Sequence, residues 1–249
     1  MIEQTIEKLK TMRLHTFAAA LRTQLSSTES IALGFEERLS LLVEEEFLAR
    51  DNRRLARILR AAQLKQKSCF EDIDFDTQRN LKRSQIAELA QCLWIRQKHN
   101  LIITGPTGIG KSFIACALAD RACRLGIHTC YVKTSELARE LLVAREDGSY
   151  PRLAARLARF DLLILDEWLR DPLSQELARE ILDLIDDRYR KRSTIFISQL
   201  PVKDWHQHIA DPTLADAILD RVVHDSHRLE LQGTSMRKQT SKVKPDNQS

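Results

Sequence analysis

A short glycine-rich segment that ends in lysine and serine is the part of the sequence best suited to phosphate chemistry. It reads GPTGIGKS over residues 105–112 and satisfies the pattern G-x-x-x-x-G-K-[ST]. Its glycines allow successive backbone N–H groups to point at phosphates, and the predicted helix after it adds the favourable dipole of its N-terminus. Lys111 is therefore predicted to act in catalysis by reaching the β- and γ-phosphates of ATP, and Ser112 to ligate Mg²⁺. Nucleotide contacts are predicted for Gly105, Pro106, Thr107, Gly108, Ile109, Gly110, Lys111, Ser112 and Phe113.

A second motif places two adjacent acids at the end of an apolar run. Residues 162–165 are apolar and precede Asp166 and Glu167. In a nucleotide-binding sheet such a strand ends beside the phosphates, so Asp166 is predicted to share the Mg²⁺ ion with Ser112. Glu167 is predicted to polarise the attacking water, which would make the protein an ATPase that releases ADP and phosphate. Acids that merely face solvent at a strand end are the alternative, and the glycine-rich motif argues against it.

Two polar positions outside these motifs are further candidates for catalysis. Gln199 follows the predicted strand 194–198 and could sense the γ-phosphate from the carboxyl edge of the sheet. Ser198 could do the same, and an ordinary exit from the strand is compatible with both residues. Arg221 ends a predicted helix and could neutralise transition-state charge on the ATP of a neighbouring subunit. The alternative for Arg221 is a surface residue that interacts with the helix dipole.

Alternation between apolar strands and helices indicates the fold that would position these residues. The 249 residues include only 7 Gly, 6 Pro and 6% aromatic residues, which favours a largely helical protein over an all-β one. Buried strands are predicted at 101–103, 128–132, 162–165 and 194–198, and helices at 86–95, 113–125, 135–145, 153–159 and 176–190. This alternation predicts an α/β fold with a parallel sheet and right-handed connections.

The sequence before the sheet predicts a small all-helical domain over residues 1–68. One helix is predicted up to about Ser26, and a second is predicted to bury four apolar residues on one face, Leu39, Leu42, Val43 and Phe47. Residues 69–78 are acidic and aperiodic and are predicted to be a linker. The ATPase domain is then predicted at 79–236, and a basic flexible tail at 237–249.

Basic side chains are concentrated at the end of the helical domain, although the whole chain has 39 Lys and Arg against 35 Asp and Glu. Such an island favours contact with the phosphate backbone of duplex DNA. The alternative is a solvated basic face that pairs with Glu44–Glu46. The predicted DNA contacts are Arg50, Arg53, Arg54, Arg57, Arg60, Lys65 and Lys67.

Composition and patterning exclude several classes of protein. Apolar residues make up 43% of the chain, which excludes disorder throughout. No apolar run approaches the roughly 18 residues that span a bilayer, and the charged N-terminus lacks the apolar core of a secretion signal. The five cysteines form no C-x-x-C pair, which indicates reduced thiols. We therefore expect a cytoplasmic protein with no membrane partner.

Together these residues resemble the IstB/DnaC-like branch of the AAA+ ATPases, and most closely the IstB family of ATP-binding helpers of insertion-sequence transposases. The resemblance runs almost the whole length and includes residues 13–25, 52–57, 105–112 and 163–168. Its most specific part is the C-terminal stretch 220–231 together with 235–238. Glu167 departs from the family, in which a second Asp is common at this position, but either acid can polarise water.

The resemblance implies further site residues and partners. Arg221 matches an arginine finger that acts in trans, and Arg237 matches a second sensor near the phosphates. The predicted helices between about 135 and 159 match an insert that faces DNA in relatives. Family members assemble on DNA with ATP and recruit and stimulate their transposase. Too few residues follow Leu231 for the helical lid of ordinary AAA+ proteins, so we expect a homo-oligomer whose neighbouring subunits complete each nucleotide site.

Three other functions are alternatives. A replicative helicase loader of the DnaC type would have a protein ring as its client, whereas the basic stretch 50–67 favours a DNA-centred function. A P-loop kinase of a small molecule usually needs a lid with catalytic arginines and lacks paired acids at a strand end. A passive DNA-binding scaffold would not need an intact set of nucleotide-site residues, here Lys111, Ser112, Asp166 and Glu167.

Overall fold

The structure divides the chain into two compact units, Met1–Arg57 and Ile58–Ser249. It is a computed structural model and describes residues 1–27, 30, 32–75, 80–233 and 235. The helix Phe35–Ala62 passes through the division, which therefore falls inside a helix, whereas the sequence predicts a boundary at the linker 69–78. The predicted domain limits stay predictions.

The first unit contains α1 (Ile2–Thr11), α2 (His15–Ser26) and most of α3 (Phe35–Ala62). The prediction of one continuous helix up to Ser26 is wrong. Arg13 has a φ of 61°, and a non-glycine residue in the left-handed region interrupts a right-handed helix.

The buried face of α3 differs from the predicted one. Leu42 is buried as predicted, but three of its predicted companions are 41%, 54% and 65% exposed, namely Leu39, Val43 and Phe47. One turn after Leu42, the inward position is taken by Glu46, whose carboxylate accepts hydrogen bonds from the N–H groups of Thr16 and Phe17 at 2.9 and 3.0 Å. Amides at the start of a helix have no partner within that helix. This polar contact with α2 therefore fixes which face of α3 turns inward.

A five-stranded parallel sheet forms the centre of the second unit and confirms the predicted α/β fold. Its strands are β1 (Asn100–Thr104), β2 (Thr129–Lys133), β3 (Leu162–Asp166), β4 (Ser193–Ser198) and β5 (Ser226–Glu230). They lie in the order β2-β3-β4-β1-β5, and all pairings are parallel. The sequence does not predict β5, because it is an edge strand in which Leu229 alone is buried.

Helices pack on both faces of this sheet. Successive residues of β1 face opposite cores, since Leu101 and Ile103 pack in one cluster and Ile102 in the other. The helices are α4 (Arg83–Ala90), α5 (Leu93–Arg96), α6 (Lys111–Arg124), α7 (Thr134–Glu146), α8 (Tyr150–Ala158), α9 (Gln175–Arg188) and α10 (Pro212–Val223). Cys92 has a φ of 58° and separates α4 from α5, which the sequence predicts as one helix.

Within the second unit, the described segments before α4 and after α10 contain little helix. Within the described part of the predicted linker, Ile73 is buried and Phe70 and Phe75 pack against the core that contains α6. After Val223, the described residues form β5 and no helix. Among the described helices, none has the length and apolar character that a bilayer crossing needs.

Candidate nucleotide-binding site

The glycine-rich segment forms the turn between β1 and α6. Gly105, Gly108 and Gly110 have φ values of 144°, 80° and 101°, which favour glycine. A Cβ atom at Gly105 would lie 2.4 Å from the carbonyl oxygen of Leu231, and one at Gly108 would lie 2.1 Å from Oγ of Ser235. The backbone therefore needs glycine to follow this path. It leads directly into the N-terminus of α6, where N–H groups favour anions.

Lys111 is the first residue of α6, and its ammonium lies over the same turn. Nζ donates hydrogen bonds to the carbonyl oxygens of Gly105 and Pro106 at 2.6 and 2.9 Å. On the same turn, Oγ1 of Thr107 donates to Oε1 of Gln199 at 2.7 Å. The fold thus brings two of the predicted catalytic side chains, Lys111 and Gln199, to the phosphate turn from different elements.

Asp166, the last residue of β3, is the most densely bonded carboxylate of the site and is only 3% exposed. Its Oδ2 accepts hydrogen bonds from Ser112 Oγ at 2.9 Å, from Lys65 Nζ at 3.1 Å and from the Tyr131 hydroxyl, and its Oδ1 accepts from the Glu167 amide at 2.9 Å. Burial raises the pKa of Asp166, but these side-chain donors outweigh it and hold the pKa below its usual value. The carboxylate is therefore ionised at neutral pH.

Ser112 and Asp166 fit the predicted Mg²⁺ site. Their side-chain oxygens lie 2.9 Å apart, at the start of α6 and the end of β3. Carboxylate and hydroxyl oxygens suit this hard cation, which binds proteins through one or two carboxylates together with substrate phosphates. The buried negative charge on Asp166 would be neutralised there.

Glu167 follows Asp166 with a left-handed backbone, at a φ of 60°. This conformation is uncommon for a residue other than glycine and turns the chain away from the direction of β3. The amide of Trp168 then donates a hydrogen bond to the carbonyl of Ile197 on β4 at 2.8 Å, which stabilises the turn at Glu167. The Glu167 carboxylate is half-buried and forms an ion pair with Arg170. The sequence does not predict this counter-ion, and the role of Glu167 in polarising water stays a prediction.

The two candidate γ-phosphate sensors have different surroundings. Ser198 is 1% exposed, and its hydroxyl donates to the Trp168 carbonyl at 2.7 Å and accepts from the Leu200 amide at 3.1 Å. Gln199 is exposed and contacts Thr107 of the phosphate turn. Of the two, it is Gln199 that has the access a sensor needs.

Arg221 lies at the opposite edge of the sheet from the phosphate turn. Its carbonyl oxygen accepts a hydrogen bond from Nδ2 of Asn100, the first residue of β1, at 3.4 Å. The turn begins after the last residue of β1, about 13 Å further along at ~3.3 Å per residue. The guanidinium pairs with Asp186 and donates to the Ala217 carbonyl at 2.8 Å. Arg221 is therefore remote from the phosphate turn of its own chain.

The predicted DNA contacts on α3 differ in their pairing. Arg50 and Arg53 form ion pairs with Glu46 at 2.7 and 3.3 Å, and Arg54 pairs with Asp51 at 2.8 Å. The predicted alternative, pairing with the acids 44–46, thus holds at Glu46. Three further exposed side chains form no ion pair with any described residue: Arg57, Arg60 and Lys67.

The remaining predicted residues need one correction. The sequence groups Lys65 with the DNA-contacting arginines, but the structure places its ammonium on Asp166 in the nucleotide site. The reason is local: α3 ends at Ala62, and Gln63, with a φ of 49°, turns the chain out of the helix direction. Arg237, the predicted second sensor, lies outside the described residues.

Sequence reasoning also missed Tyr131 and Arg170. Tyr131 belongs to β2, which pairs with β3 through Lys133 opposite Asp166. Its hydroxyl reaches Asp166, and burial together with that carboxylate raises the pKa of Tyr131 well above its usual value, so it stays a donor. The sequence offers one indication of this contact: Tyr131 lies in the predicted strand 128–132, which precedes the strand that ends at Asp166.

Comparison with known proteins identifies the family. The sequence model of the IstB-like ATP-binding proteins matches residues 7–244. The chain belongs to this family. It is 44% identical over 234 residues to an insertion-sequence ATP-binding protein of Sinorhizobium fredii, y4pL, with 94% of this chain and 96% of that one covered. It is also 45% identical over 202 residues to the ATP-binding protein of insertion sequence IS1162 from Pseudomonas fluorescens, which covers 81% of this IstB-like chain and 87% of the relative.

Two solved structures share the fold of this IstB-like protein. A crystal structure of DnaI has a TM-score of 0.58 at 18% identity and covers 66% of this chain and 91% of that one. A crystal structure of the DnaC helicase loader has a TM-score of 0.56 at 17% identity, with 70% and 98% covered. At these identities the likeness concerns the fold alone.

Proposed function

We propose that this IstB-like protein is a Mg²⁺-dependent ATPase that assembles on duplex DNA when it binds ATP and recruits a transposase. The observation that carries the proposal is the meeting of Ser112, Asp166 and Glu167 beside the phosphate turn. It occurs in a chain whose relatives are named as ATP-binding proteins of insertion sequences. The site supports the hydrolysis, and the relatives support the link to transposition.

The residues of the site divide the work of hydrolysis among them. Lys111 contacts the β- and γ-phosphates from the start of α6, and backbone amides of the turn hold the phosphate oxygens. Glu167 orients the attacking water and accepts its proton. Gln199 is in reach of the γ-phosphate through its place beside Thr107. Ser112 and Asp166 would hold Mg²⁺, which would supply positive charge to the phosphates.

A second copy of the chain completes the site in this scheme. Arg221 is at the edge of the sheet opposite its own phosphate turn, so it can reach a nucleotide only across an interface with a neighbour. An arginine supplied in this way stabilises the charge of the phosphoryl-transfer transition state. The proposed oligomer is therefore a homo-oligomer with nucleotide sites between subunits.

The proposed DNA contact is the exposed arginine side of α3. Arg57 and Arg60 are exposed, and Arg54 pairs only with the equally exposed Asp51, a weak interaction that a DNA phosphate can replace. Lys and Arg side chains bind the duplex backbone by releasing its counterions, without reading the sequence. We propose that ATP binding, and not hydrolysis, licenses this assembly, because the residues for the two tasks, Lys111 and Glu167, are separate.

Assembly of the full chain on duplex DNA tests the proposal. With a non-hydrolysable ATP analogue and Mg²⁺, sedimentation should show a protein–DNA complex that is absent with ADP. Lys111→Ala should bind the analogue about a hundredfold more weakly, because a charge-assisted phosphate contact is lost, and should not assemble. Lys203→Ala, which removes an exposed lysine of the same unit, is the control. Assembly that is indifferent to nucleotide in the unaltered protein would contradict the proposal.

The protein partner is tested separately. Tagged IstB-like protein with the ATP analogue should retain its cognate transposase and should not retain a replicative helicase. Retention of the helicase and not the transposase would favour the alternative function, a helicase loader of the DnaC type.

A further inference from the structure

A lysine that lies outside the two sequence motifs reaches the nucleotide site. Lys65 follows α3, and its Nζ lies 3.1 Å from Oδ2 of Asp166. The same oxygen accepts the hydrogen bond of Ser112. Lys65 is 32% exposed at its side chain, whereas Asp166 is 4% exposed, so the lysine reaches inward from the surface to a buried carboxylate. The ammonium thus lies at the carboxylate of the proposed Mg²⁺ site.

The segment that carries Lys65, residues 63–68, is held in place by few favourable contacts of its own. Gln63 has a left-handed backbone at a φ of 49°, which costs energy for a residue other than glycine. Ser68 is buried, and its Oγ finds no hydrogen-bond partner among the described residues. Inward contacts come from Leu64, which packs against the core, and from the backbone of Lys65 and Gln66, which lies against the Cys116 thiol on α6. The left-handed residue and the unsatisfied hydroxyl lower the cost of displacing this segment.

A magnesium ion and the Lys65 ammonium would compete for the same oxygen of Asp166, Oδ2. Mg²⁺ binds its oxygen ligands at about 2.1 Å and requires near-ideal geometry. An ammonium 3.1 Å from the same oxygen would lie within a few ångströms of the metal, where two positive charges repel each other strongly in a buried setting. Both cations cannot hold Oδ2 in these positions. Binding of one must weaken binding of the other.

We propose that Lys65 is a further member of the nucleotide site, which competes with Mg²⁺ for Asp166 and is displaced when the metal–nucleotide complex binds. The inference rests on the proposed Mg²⁺ site of Ser112 and Asp166. Because residues 63–68 follow α3 directly, displacement of Lys65 would act on the C-terminal end of the arginine-bearing helix. ATP binding would thereby be coupled, through the continuous polypeptide, to the proposed DNA contact.

A magnesium titration of nucleotide binding tests the competition without measuring activity. The full chain binds a fluorescent, non-hydrolysable ATP analogue, DNA is omitted, and the half-saturating Mg²⁺ concentration is determined. For Lys65→Gln we expect this concentration to fall about tenfold, because a competing charge is removed at close range. Lys65→Arg keeps the charge and should stay near the unaltered protein. Lys203→Gln removes an exposed lysine elsewhere in the unit and should not shift the value.

The outcomes separate this inference from the proposed metal site. An unchanged or higher half-saturating Mg²⁺ concentration in Lys65→Gln, or an equal fall in Lys203→Gln, would overturn the competition. Nucleotide binding that ignores Mg²⁺ in the unaltered protein would instead contradict the Mg²⁺ site itself.

Hydrogen exchange of peptides that cover residues 63–68 tests the displacement. In the unaltered protein, exchange should become faster when Mg²⁺ and the analogue are added together. In Lys65→Gln it should be fast beforehand and change little. Equal exchange in both proteins under both conditions would overturn the displacement, and unfolding of Lys65→Gln would show as fast exchange in the sheet as well. In that event Lys65→Met, which keeps the apolar stem, replaces it in both measurements.

Discussion

The nucleotide site and the arginine-bearing part of α3 hold their charges in opposite ways. Asp166 is buried, and its oxygens accept hydrogen bonds from side chains on separate elements, among them Ser112 of α6 and Tyr131 of β2. On α3, Arg54 is exposed and pairs with Asp51 of the same helix, and Arg57 is exposed with no ion pair to any described residue. The nucleotide site holds the charge of Asp166 with donors from several elements. The basic part of α3 instead carries several exposed charges on one helix.

The difference matches two kinds of chemistry. Phosphoryl transfer needs a metal, a water and a phosphate at fixed distances, so its side chains must be held by neighbours. Contact with a nucleic-acid backbone needs positive charge along a surface and tolerates small shifts of each side chain. Single substitutions should therefore abolish function in the nucleotide site and weaken it gradually on α3.

Arg221 should show the largest effect, although it lies outside the site of its own chain. Arg221→Ala should lower ATP turnover by about 10³–10⁵-fold, because an arginine finger neutralises transition-state charge, and nucleotide affinity should be retained. Turnover and nucleotide binding are measured on the same preparation. Asp186→Asn, which breaks the ion pair but keeps the arginine, should stay active.

Mixing variants then shows where Arg221 acts. Arg221→Ala has an intact nucleotide site and Lys111→Ala an intact arginine, so a mixture should recover part of the turnover at shared interfaces. If no mixing ratio restores turnover, Arg221 acts within its own chain or only on structure.

Glu167→Gln should have the next largest effect. The amide cannot accept the proton of the attacking water, so turnover should fall by about 10²–10⁴-fold. ATP and DNA binding should persist, and complexes on DNA should outlast those of the unaltered protein. Phosphate release and DNA retention are measured side by side. A Glu167→Gln protein that does not bind DNA in the presence of ATP would refute the separation of binding from hydrolysis.

The arginines of α3 should show a smaller and graded effect. Replacement of Arg54, Arg57 and Arg60 by Ala should reduce the slope of log K against log salt by about 0.9 for each lost phosphate contact, or roughly three units together. DNA binding should weaken to the same extent for all DNA sequences. ATPase activity measured without DNA should not change. DNA affinity measured at several salt concentrations gives the slope.

A triple variant with alanine in place of three arginines at α8 is the matched control for the α3 variant. Arg152, Arg156 and Arg159 lie at or next to this helix, within the insert that the family resemblance assigns to DNA. An unchanged slope in the α3 variant, together with a reduced slope in the α8 variant, would move the DNA contact to α8.

Glu46 should show the smallest effect, on the stability of the first unit alone. It joins α3 to the N-terminus of α2 as an interhelical cap, and loss of a cap in Glu46→Ala costs about 0.5–2 kcal/mol in free energy of unfolding. The helical signal in circular dichroism should report the loss. All three tryptophans, Trp94, Trp168 and Trp205, belong to the second unit, so their fluorescence transition should not move. A shift of the fluorescence transition alone would contradict the assignment.

The contribution of Glu46 should depend on pH in a defined direction. Burial raises the pKa of Glu46, but hydrogen bonds from the amide of Phe17 and the guanidinium of Arg50 bring it below its usual value. A lowered pKa in the folded state means that the stabilisation is present above the ordinary carboxyl pKa of about 4.3 and is lost as pH falls through the lowered value. The difference in unfolding free energy between the unaltered protein and Glu46→Ala should therefore shrink below about pH 4.

The phosphate turn and the acidic strand end could be predicted from the sequence because each is local. Within residues 105–112, the glycines, Lys111 and Ser112 are close along the chain, so their types and spacing alone specify a turn that receives phosphates. The alternation of apolar strands and helices likewise predicted the parallel sheet, since each strand must be buried on both faces. Strand β5 was not predicted, because an edge strand with one buried residue has no continuous apolar run.

The tertiary structure alone decided which distant side chains share a site. Lys65 and Tyr131 meet at Asp166 from separate segments of the chain, and no spacing in the sequence connects them. It also decided the inward face of α3, where Glu46 displaces Val43 and Phe47 from the positions that their apolar character predicts. Local pattern fixes the conformation of a segment, but the partners of a charged or apolar side chain depend on what packing brings within a few ångströms of it.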